Sequence, residues 1–491
     1  MIDTISVKNR IIDLAMQGKL TSQNLDDGNA KTLYGEISEE RKELLKAKKI
    51  SKVELTDDTI SSNDYEIPST WMWVKLYELS VKDIKRGKAP KYVDKSKTQV
   101  FAQKCNLKTG GINMKLAKFL SDEKVAKFNE EDYLYDKDIV INSTGTGTLG
   151  RVGIFTDEDR IDDMPVFPDS HITVVRLLDK IDKRFVFYAI KRYQGYLEGN
   201  GIGSTNQREL RPEMIMGLQI PLPPYKEQKR IVEKIEAAVL NLSIIDDLQT
   251  RYSSDRDVLK GKLIDAAICG KLTKQLPEDS TAEELYKQIQ EEKKYLEKEG
   301  KIKNSKKLPE ITEDEIPFDI PANWKWVRLS DVLDVRDGTH DSPKYHDEGI
   351  PLVTSKNISG GSLSFDDVKL ISEEDAKKIN ERSFVDDGDI LFAMIGSIGN
   401  PVIVKKDRDF CIKNVALFKN ISEKDLDMSY VYWFLMHEQY ELRKTAIGGL
   451  QPFVSLKVFR NHLMPLPPIA EQKRISNRLY ELSAAVTEQS L

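Results

Sequence analysis

The sequence predicts an α+β protein built as one unit written twice, in which two globular domains are separated by two long antiparallel helices forming a coiled coil. Three observations carry this prediction. A proline corner followed by a long amphipathic helix occurs at Pro221–Leu248 (PLPPYKEQKRIVEKIEAAVLNLSIIDDL) and again at Pro465–Val486 (PLPPIAEQKRISNRLYELSAAV). IDLAMQGKLT at Ile12–Thr21 reappears as IDAAICGKLT at Ile264–Thr273. Paired tryptophans, Trp71 with Trp73 and Trp324 with Trp326, open the two domains.

Adjacent prolines end the strand before them and suit the first turn of a helix. Glu227 and Glu471 fall in that turn, where the helix dipole favours negative charge. Ile231, Ile235, Ala238, Leu242 and Ile245 then step by four, three, four and three, and Ile475, Leu479, Leu482 and Val486 keep the same beat. That is a coiled-coil seam, and two matched seams can close on each other. Residues 227–271 form one uninterrupted helical stretch, on the order of 60 Å if continuous. The same text is divided between residues 471–491 and 1–19, so Met1 and Leu491 are expected to meet in space and complete a pseudo-twofold repeat.

The charged stretches from Leu33 and Leu285 read as helices with thin apolar stripes, followed by polar, proline-ended linkers. Alternation around Trp71 and Trp324 marks the first strand of each domain, the aromatic residues serving as core. Inside the domains the match is patchy: Pro90-Lys91-Tyr92 answers to Pro343-Lys344-Tyr345, and Phe185-Val186-Phe187-Tyr188 to Tyr430-Val431-Tyr432-Trp433. The frame repeats while the loops diverge.

At 491 residues the chain has room for about three domains. It lacks an apolar run of membrane length, and its N-terminus lacks a signal region, so a cytoplasmic protein is expected. Cys105, Cys269 and Cys411 are scattered, and neither they nor the five histidines have metal-ligand spacing. A net charge of −5 argues against a free-standing nucleic-acid binder. The stretch from Lys82 to Lys97 is locally basic and can contact phosphates, although a solvated loop explains it as well.

Gly145, Gly147 and Gly150 match the dinucleotide-loop pattern, but the following Arg151–Phe155 reads as a strand, whereas a phosphate loop must open a helix. A glycine-rich hairpin is predicted instead. No P-loop occurs, and Leu222-Pro-Pro-Tyr225 has leucine where an adenine methyltransferase needs asparagine. No catalytic, cofactor-binding or metal-binding residue is expected.

Loop side chains suited to recognition remain. The first domain offers Lys85, Arg86, Lys88 and Lys91; Ser143, Thr144, Thr146 and Arg151; and Asn206, Gln207 and Arg208. The second offers Arg336, Thr339, His340 and Lys344; Ser355, Lys356 and Asn357; and Gly448, Gly449 and Gln451. Arg, Lys, Asn and Gln can read base edges, while Ser, Thr and glycine amides suit phosphates. For any single one of these, an ordinary solvated loop is the competing explanation.

Through the doubled PLPPYKEQKRI and PLPPIAEQKRI, the doubled GKLT, the two Trp-x-Trp-Val-basic-Leu openings, RDGTHDSPKY and GIPLVTSKNI, the chain resembles the specificity subunits of type I restriction-modification systems over nearly its full length. The resemblance implies two target recognition domains, residues 68–222 and 321–466, each reading one half of a bipartite site in double-stranded DNA. Residues 1–67, 223–320 and 467–491 would supply the helical regions and linkers. It further implies a non-catalytic subunit that docks two methyltransferase subunits and, through them, restriction and translocase subunits. S-adenosylmethionine, ATP and Mg2+ would bind those partners. A stand-alone adenine methyltransferase would instead bind methyl donor by itself, and a coiled-coil scaffold would show no sequence-dependent retention on DNA.

Overall fold

The structure is a computed structural model that describes residues 1–55, 65–203, 208–303, 308–421, 426–449 and 452–488. Residues 2–249 form one compact unit, and residues 250–491 with Met1 form another. Leu491, expected to meet Met1, lies outside the described residues.

In the first unit, α1 (Thr4–Met16) and α2 (Ala30–Lys46) precede the globular part, capped by Asp3 and Asn29, whose side chains accept from the amides of Ser6 and Lys31. These caps satisfy amides that have no partner inside the helix. The strands β1 (Met72–Lys75), β2 (Lys85–Arg86), β3 (Asp138–Asn142), β4 (Val152–Phe155) and β5 (Ile172–Val175) follow. Then come α3 (Lys183–Arg192), β6 (Gln219–Leu222) and the 44-residue α4 (Tyr225–Ile268), whose second half belongs to the other unit. The second unit continues with α5 (Ala282–Lys298), β7 (Lys325–Arg328), β8 (Leu333–Asp337), α6 (Glu373–Ser383), β9 (Ile390–Ala393), β10 (Gly399–Ile403), β11 (Val415–Asn420), α7 (Met428–Lys444), β12 (Leu463–Leu466) and α8 (Ile469–Glu488).

The repeat persists in the topology. Each unit has an antiparallel four-stranded sheet, in the order β2-β5-β3-β4 in the first and β8-β11-β9-β10 in the second. The central strands are buried on both faces, which is why Ile139-Val140-Ile141 and Ile390–Ala393 are unbroken apolar runs. A second sheet in each unit, four-stranded in the first and three-stranded in the second, contains one parallel pair, Gln99 opposite Val166 and Leu352 opposite Cys411.

The opening tryptophan strands pair with the strands that leave the domains rather than with the main sheets. Trp73 stands opposite Pro221 and Trp326 opposite Pro465, each in a two-stranded ribbon. Two-stranded ribbons tolerate proline because one edge makes no ladder bonds. The Leu222-Pro-Pro-Tyr225 segment is a structural corner, as expected. Gln228 Nε2 donates to the Pro223 carbonyl at 2.9 Å, and its Oε1 accepts from the Asp182 amide at 2.9 Å. Gln472 repeats both bonds with Pro467 and Asp427.

The repeated GKLT glycines end α1 and α4 with φ of +69° at Gly18 and +71° at Gly270. A Cβ there would stand 2.3 Å from Pro68 Cγ or 2.4 Å from Pro321 Cγ, so only glycine lets the linker cross. In the first unit, α1 runs antiparallel to the first half of α4. Thr4 Oγ1 donates to Asp246 at 2.6 Å near one end, and Gln23 Nε2 donates to Glu227 at 2.8 Å beyond the other. In the second unit, Gln275 Nε2 donates to Glu471 at 2.8 Å where α4 has ended and α8 begins.

The seams start inside the cores. Ile231 and Ile235 are buried with Ile12, Trp71 and Phe185, and Ile475 and Leu479 with Ile264, Trp324 and Tyr430. Burying each such side chain contributes roughly 1.5–3 kcal/mol, so each helix start is anchored in its own unit. Farther along α4, Leu240, Ile244 and Leu248 are exposed. Among the described residues no helix is long and apolar enough to cross a membrane.

Candidate nucleic-acid interface

In the first unit, three loops meet where β3 ends. The hairpin from Ser143 to Arg151 leads directly into β4, so the glycine cluster opens no helix. The chain beyond α3 folds back onto it: Leu210 N donates to Ser143 O at 2.8 Å, Gly145 N to Arg208 O at 3.2 Å, and Glu209 bridges both Thr144 and Ile202. Arg86 on β2 joins them, donating to Leu210 O at 2.9 Å and pairing with Glu209 at 3.1 Å.

Several of these side chains already have work within the fold. Ser143 is buried against Thr173. Arg151 clamps the hairpin through the carbonyls of Asn106 at 3.1 Å and Gly147 at 2.7 Å, and Arg208 holds the carbonyls of Gly199 at 2.7 Å and Gly201 at 3.1 Å. Thr146 is exposed at the hairpin tip. Lys88 pairs with Asp132 at 2.5 Å and lies over the Phe128 ring. Lys91 pairs with Glu123 at 2.8 Å, a hydrogen bond that raises its pKa, and lies beside the second sheet. Lys85 lines a cavity with Arg41, Tyr77 and Glu213. The structure therefore gathers Arg86, Ser143, Thr144, Thr146, Arg151 and Arg208, and leaves Lys85 and Lys91 away from that corner. Asn206 and Gln207 lie outside the described residues.

The second unit repeats the backbone with different side chains. Val454 N donates to Met394 O at 3.0 Å, and Phe453 bridges both Ile395 and Ile447, the same three-way contact. Gly448 and Gly449 are exposed in the returning loop, while Gln451 lies outside the described residues. Beyond β8, Thr339 bridges Lys413, and His340 stands between Asn414 Oδ1 at 2.9 Å and Asp337 Oδ2 at 3.0 Å. Arg336 bonds Asp334 at 2.6 Å and reaches the Arg382 carbonyl. Asn357 is buried, its Oδ1 accepting from Thr354 N at 2.9 Å, so it shapes the Ser355–Asn357 turn; Lys356 and Lys344 are exposed. Val353 O accepts from Lys413 N at 2.8 Å, which places the strand leading into that turn beside Lys413, the bridge partner of Thr339.

Four residues at these corners were not singled out in the sequence. Gln103 Nε2 donates to Thr144 Oγ1 at 3.0 Å, and His171 Nδ1 lies 2.6 Å from the same oxygen. Lys413 and Asn414 hold the equivalent place in the second unit. The available signal was position: His171 directly precedes the run ITVV, and Lys413-Asn414 precede VALF, at strand ends where side chains emerge from a sheet.

The corners thus combine hydrogen-bonding loops on a repeated frame, an arrangement suited to recognition. Residues 68–249 and 321–491 match the family model described as the type I restriction modification DNA specificity domain. The chain belongs to this family. It is 25% identical to the type I restriction enzyme EcoAI specificity subunit of Escherichia coli, with 97% of this chain and 88% of that protein aligned. It is 25% identical to the EcoEI specificity subunit of the same species, over 96% and 87% of the two chains. A solved structure reported under the assembly and conformational transition of the type I R-M system superposes with a TM-score of 0.60 at 17% identity, covering 87% of this chain and 93% of that one. That likeness concerns the fold. As a member of the type I specificity family, the chain is a non-catalytic specificity subunit, and the family fits no cofactor on this chain.

Proposed function

We propose that the domains at residues 68–222 and 321–466 each read one half of a bipartite, asymmetric site in double-stranded DNA. The reading is carried by one observation: the loop corner at the end of β3 and the corner at the end of β9 share their backbone contacts but present different side chains. Identical corners would read identical half-sites; these would not. The candidate contacts are Lys85, Arg86, Lys88, Lys91, Ser143, Thr144, Thr146, Arg151, Asn206, Gln207 and Arg208 in the first domain. In the second they are Arg336, Thr339, His340, Lys344, Ser355, Lys356, Asn357, Gly449 and Gln451.

Residues 1–67, 223–320 and 467–491 supply the helical regions and linkers, and two methyltransferase subunits dock on the helices. The exposed stripe Leu240, Ile244 and Leu248 supports that role, since apolar residues spaced by four on a helix face suit a protein partner. S-adenosylmethionine binds those partners, ATP and Mg2+ the restriction and translocase subunits that join them, and the assembly acts in the cytoplasm. Mapping methylated adenines in cells carrying the complex tests the proposal. A two-part motif is expected, and exchanging residues 68–222 for another member's domain should rewrite one half only. A change in both halves, or in neither, would overturn it.

A further inference from the structure

We infer that each recognition domain carries a specificity-determining pair at the same corner of its main sheet, Thr144 with His171 in the first and His340 with Asn414 in the second. This presupposes the DNA-reading function proposed above and adds His171 and Asn414 to it.

The corner is built by a close backbone crossing. A Cβ on Gly87 would lie 2.0 Å from the Pro168 carbonyl oxygen, and one on Gly338 2.2 Å from that of Ile412. Glycine at both places lets the segment after β2 or β8 run against the segment before β5 or β11, with Lys88 bridging Asp169 and Thr339 bridging Lys413. Each crossing holds a histidine against a buried aspartate. The His171 side chain is 52% exposed and its Nε2 lies 4.0 Å from Asp169, which is 5% exposed; His340 is 57% exposed and its Nε2 lies 3.0 Å from Asp337, also 5% exposed. Tyr92 OH, Ser170 Oγ and the His171 amide hold Asp169 in place, and Arg382 holds Asp337.

An exposed side chain ordinarily turns freely. Before any ligand arrives His340 is held at both ring nitrogens and His171 at Nδ1, so part of the ordering cost of a contact is already met. In the first domain Thr144 Oγ1 accepts from Gln103 and lies 2.6 Å from His171 Nδ1; with the hydroxyl donating to Nδ1, the neutral ring carries its proton on Nε2. In the second, His340 occupies the Oδ1 end of the Asn414 amide, and among the described residues no side-chain partner meets its other end. A carboxylate behind the imidazole disfavours a phosphate, whereas the groove edge of a base pair offers neutral donors and acceptors. Duplication alone does not account for the arrangement. In the first domain the histidine comes from the segment before β5, in the second from the segment after β8.

The test uses the assembled modification complex with His171→Ala or Asn414→Ala, reading the methylated motif genome-wide. His171→Ala should relax at least one base position in one half by about tenfold or more and leave the other half unchanged; Asn414→Ala should do the reverse. The unchanged half shows that the complex is folded and assembled. An unaltered motif would overturn the inference. So would uniformly slower methylation with unchanged base preference, which is what a phosphate contact gives. Should His171→Ala abolish methylation, Thr144→Val, read by the same criteria, decides. If the wild-type complex itself gives no two-part motif, the DNA-reading function falls first and this inference with it.

Discussion

Trp71 Nε1 donates a 2.8 Å hydrogen bond to Glu227 Oε2 in the interior of the first unit, and Trp324 repeats the bond with Glu471 Oε2 at 2.8 Å in the second. The glutamates that the sequence places at helix starts for the dipole are 1% and 0% exposed and hold three segments together. Thr21 and Gln23 of the first GKLT loop donate to Glu227, as Thr273 and Gln275 do to Glu471. Helix, domain opening and preceding loop therefore meet on one carboxylate.

Removing that carboxylate strands buried donors. Glu227→Ala should destabilise the first unit by about 1–3 kcal/mol or more, read as a lower Tm or faster hydrogen exchange in residues 2–249. A double-mutant cycle with Trp71→Phe should show a coupling of roughly 0.5–3 kcal/mol. Additive effects would mean the contact carries little energy.

A second contrast between the repeats predicts different responses to pH. In the first unit Arg192 on α3 pairs with Asp13 at 2.7 Å, with no histidine in the contact. In the second unit His437 lies 2.6 Å from Glu438 and 3.3 Å from Asp265, with His462 3.0 Å from Glu438. The bond to Glu438 raises His437 above 6.5 against its burial. Burial would raise Glu438, but the two histidines outweigh it and take the carboxyl from 4.5 down to about 2. A raised histidine contributes stability that is full below its unfolded value and lost as pH rises through its folded value. A depressed carboxylate contributes above its unfolded value and loses it on acidification. Both contributions are present between 4.5 and 6.5. Hydrogen exchange of the full chain should show residues 250–491 loosening between about pH 6 and pH 8 more than residues 2–249, and His437→Arg should remove the difference.

Gly338→Ala should disturb one corner only. Its Cβ would meet a backbone oxygen that cannot turn aside, for a cost of about 1–3 kcal/mol. Exchange should quicken at residues 338–341 and 412–415 and stay unchanged in residues 2–249. Protection equal to wild type would show that the crossing can widen.

Asn414 adopts φ +55°, a conformation that costs a residue with a Cβ roughly 1–2 kcal/mol unless its side chain compensates. Asn414→Gly should keep the stability of the chain, whereas Asn414→Ala should lower its Tm. Both remove the amide, so both should alter the methylated motif alike. Different motifs would assign the effect to the backbone.

The repeat, the proline corners, the long helices and the α+β class were legible because each is a local rule about periodicity, capping or turn chemistry. The Gly145–Gly150 hairpin was legible for the same reason, since the strand-like residues after it excluded a phosphate loop. The loop corners proposed to read DNA were only partly legible. Ser143, Arg151, Arg208 and Asn357 had the right chemistry, but their bonds to backbone or buried neighbours follow from folding and leave no mark on residue type. His171 and Asn414 looked like ordinary residues ahead of a strand.

By itself, then, the sequence determined that one unit is written twice and that its helices, strands and corners fall where they do, because those depend on neighbours within a few residues. Tertiary structure alone decided that Glu227 and Glu471 are buried junctions and that His171 and His340 come to rest on aspartates at matching corners. Trp71 and Glu227 are separated by 156 residues. No local pattern encodes such a meeting; the packing of the domain against its helix brings it about.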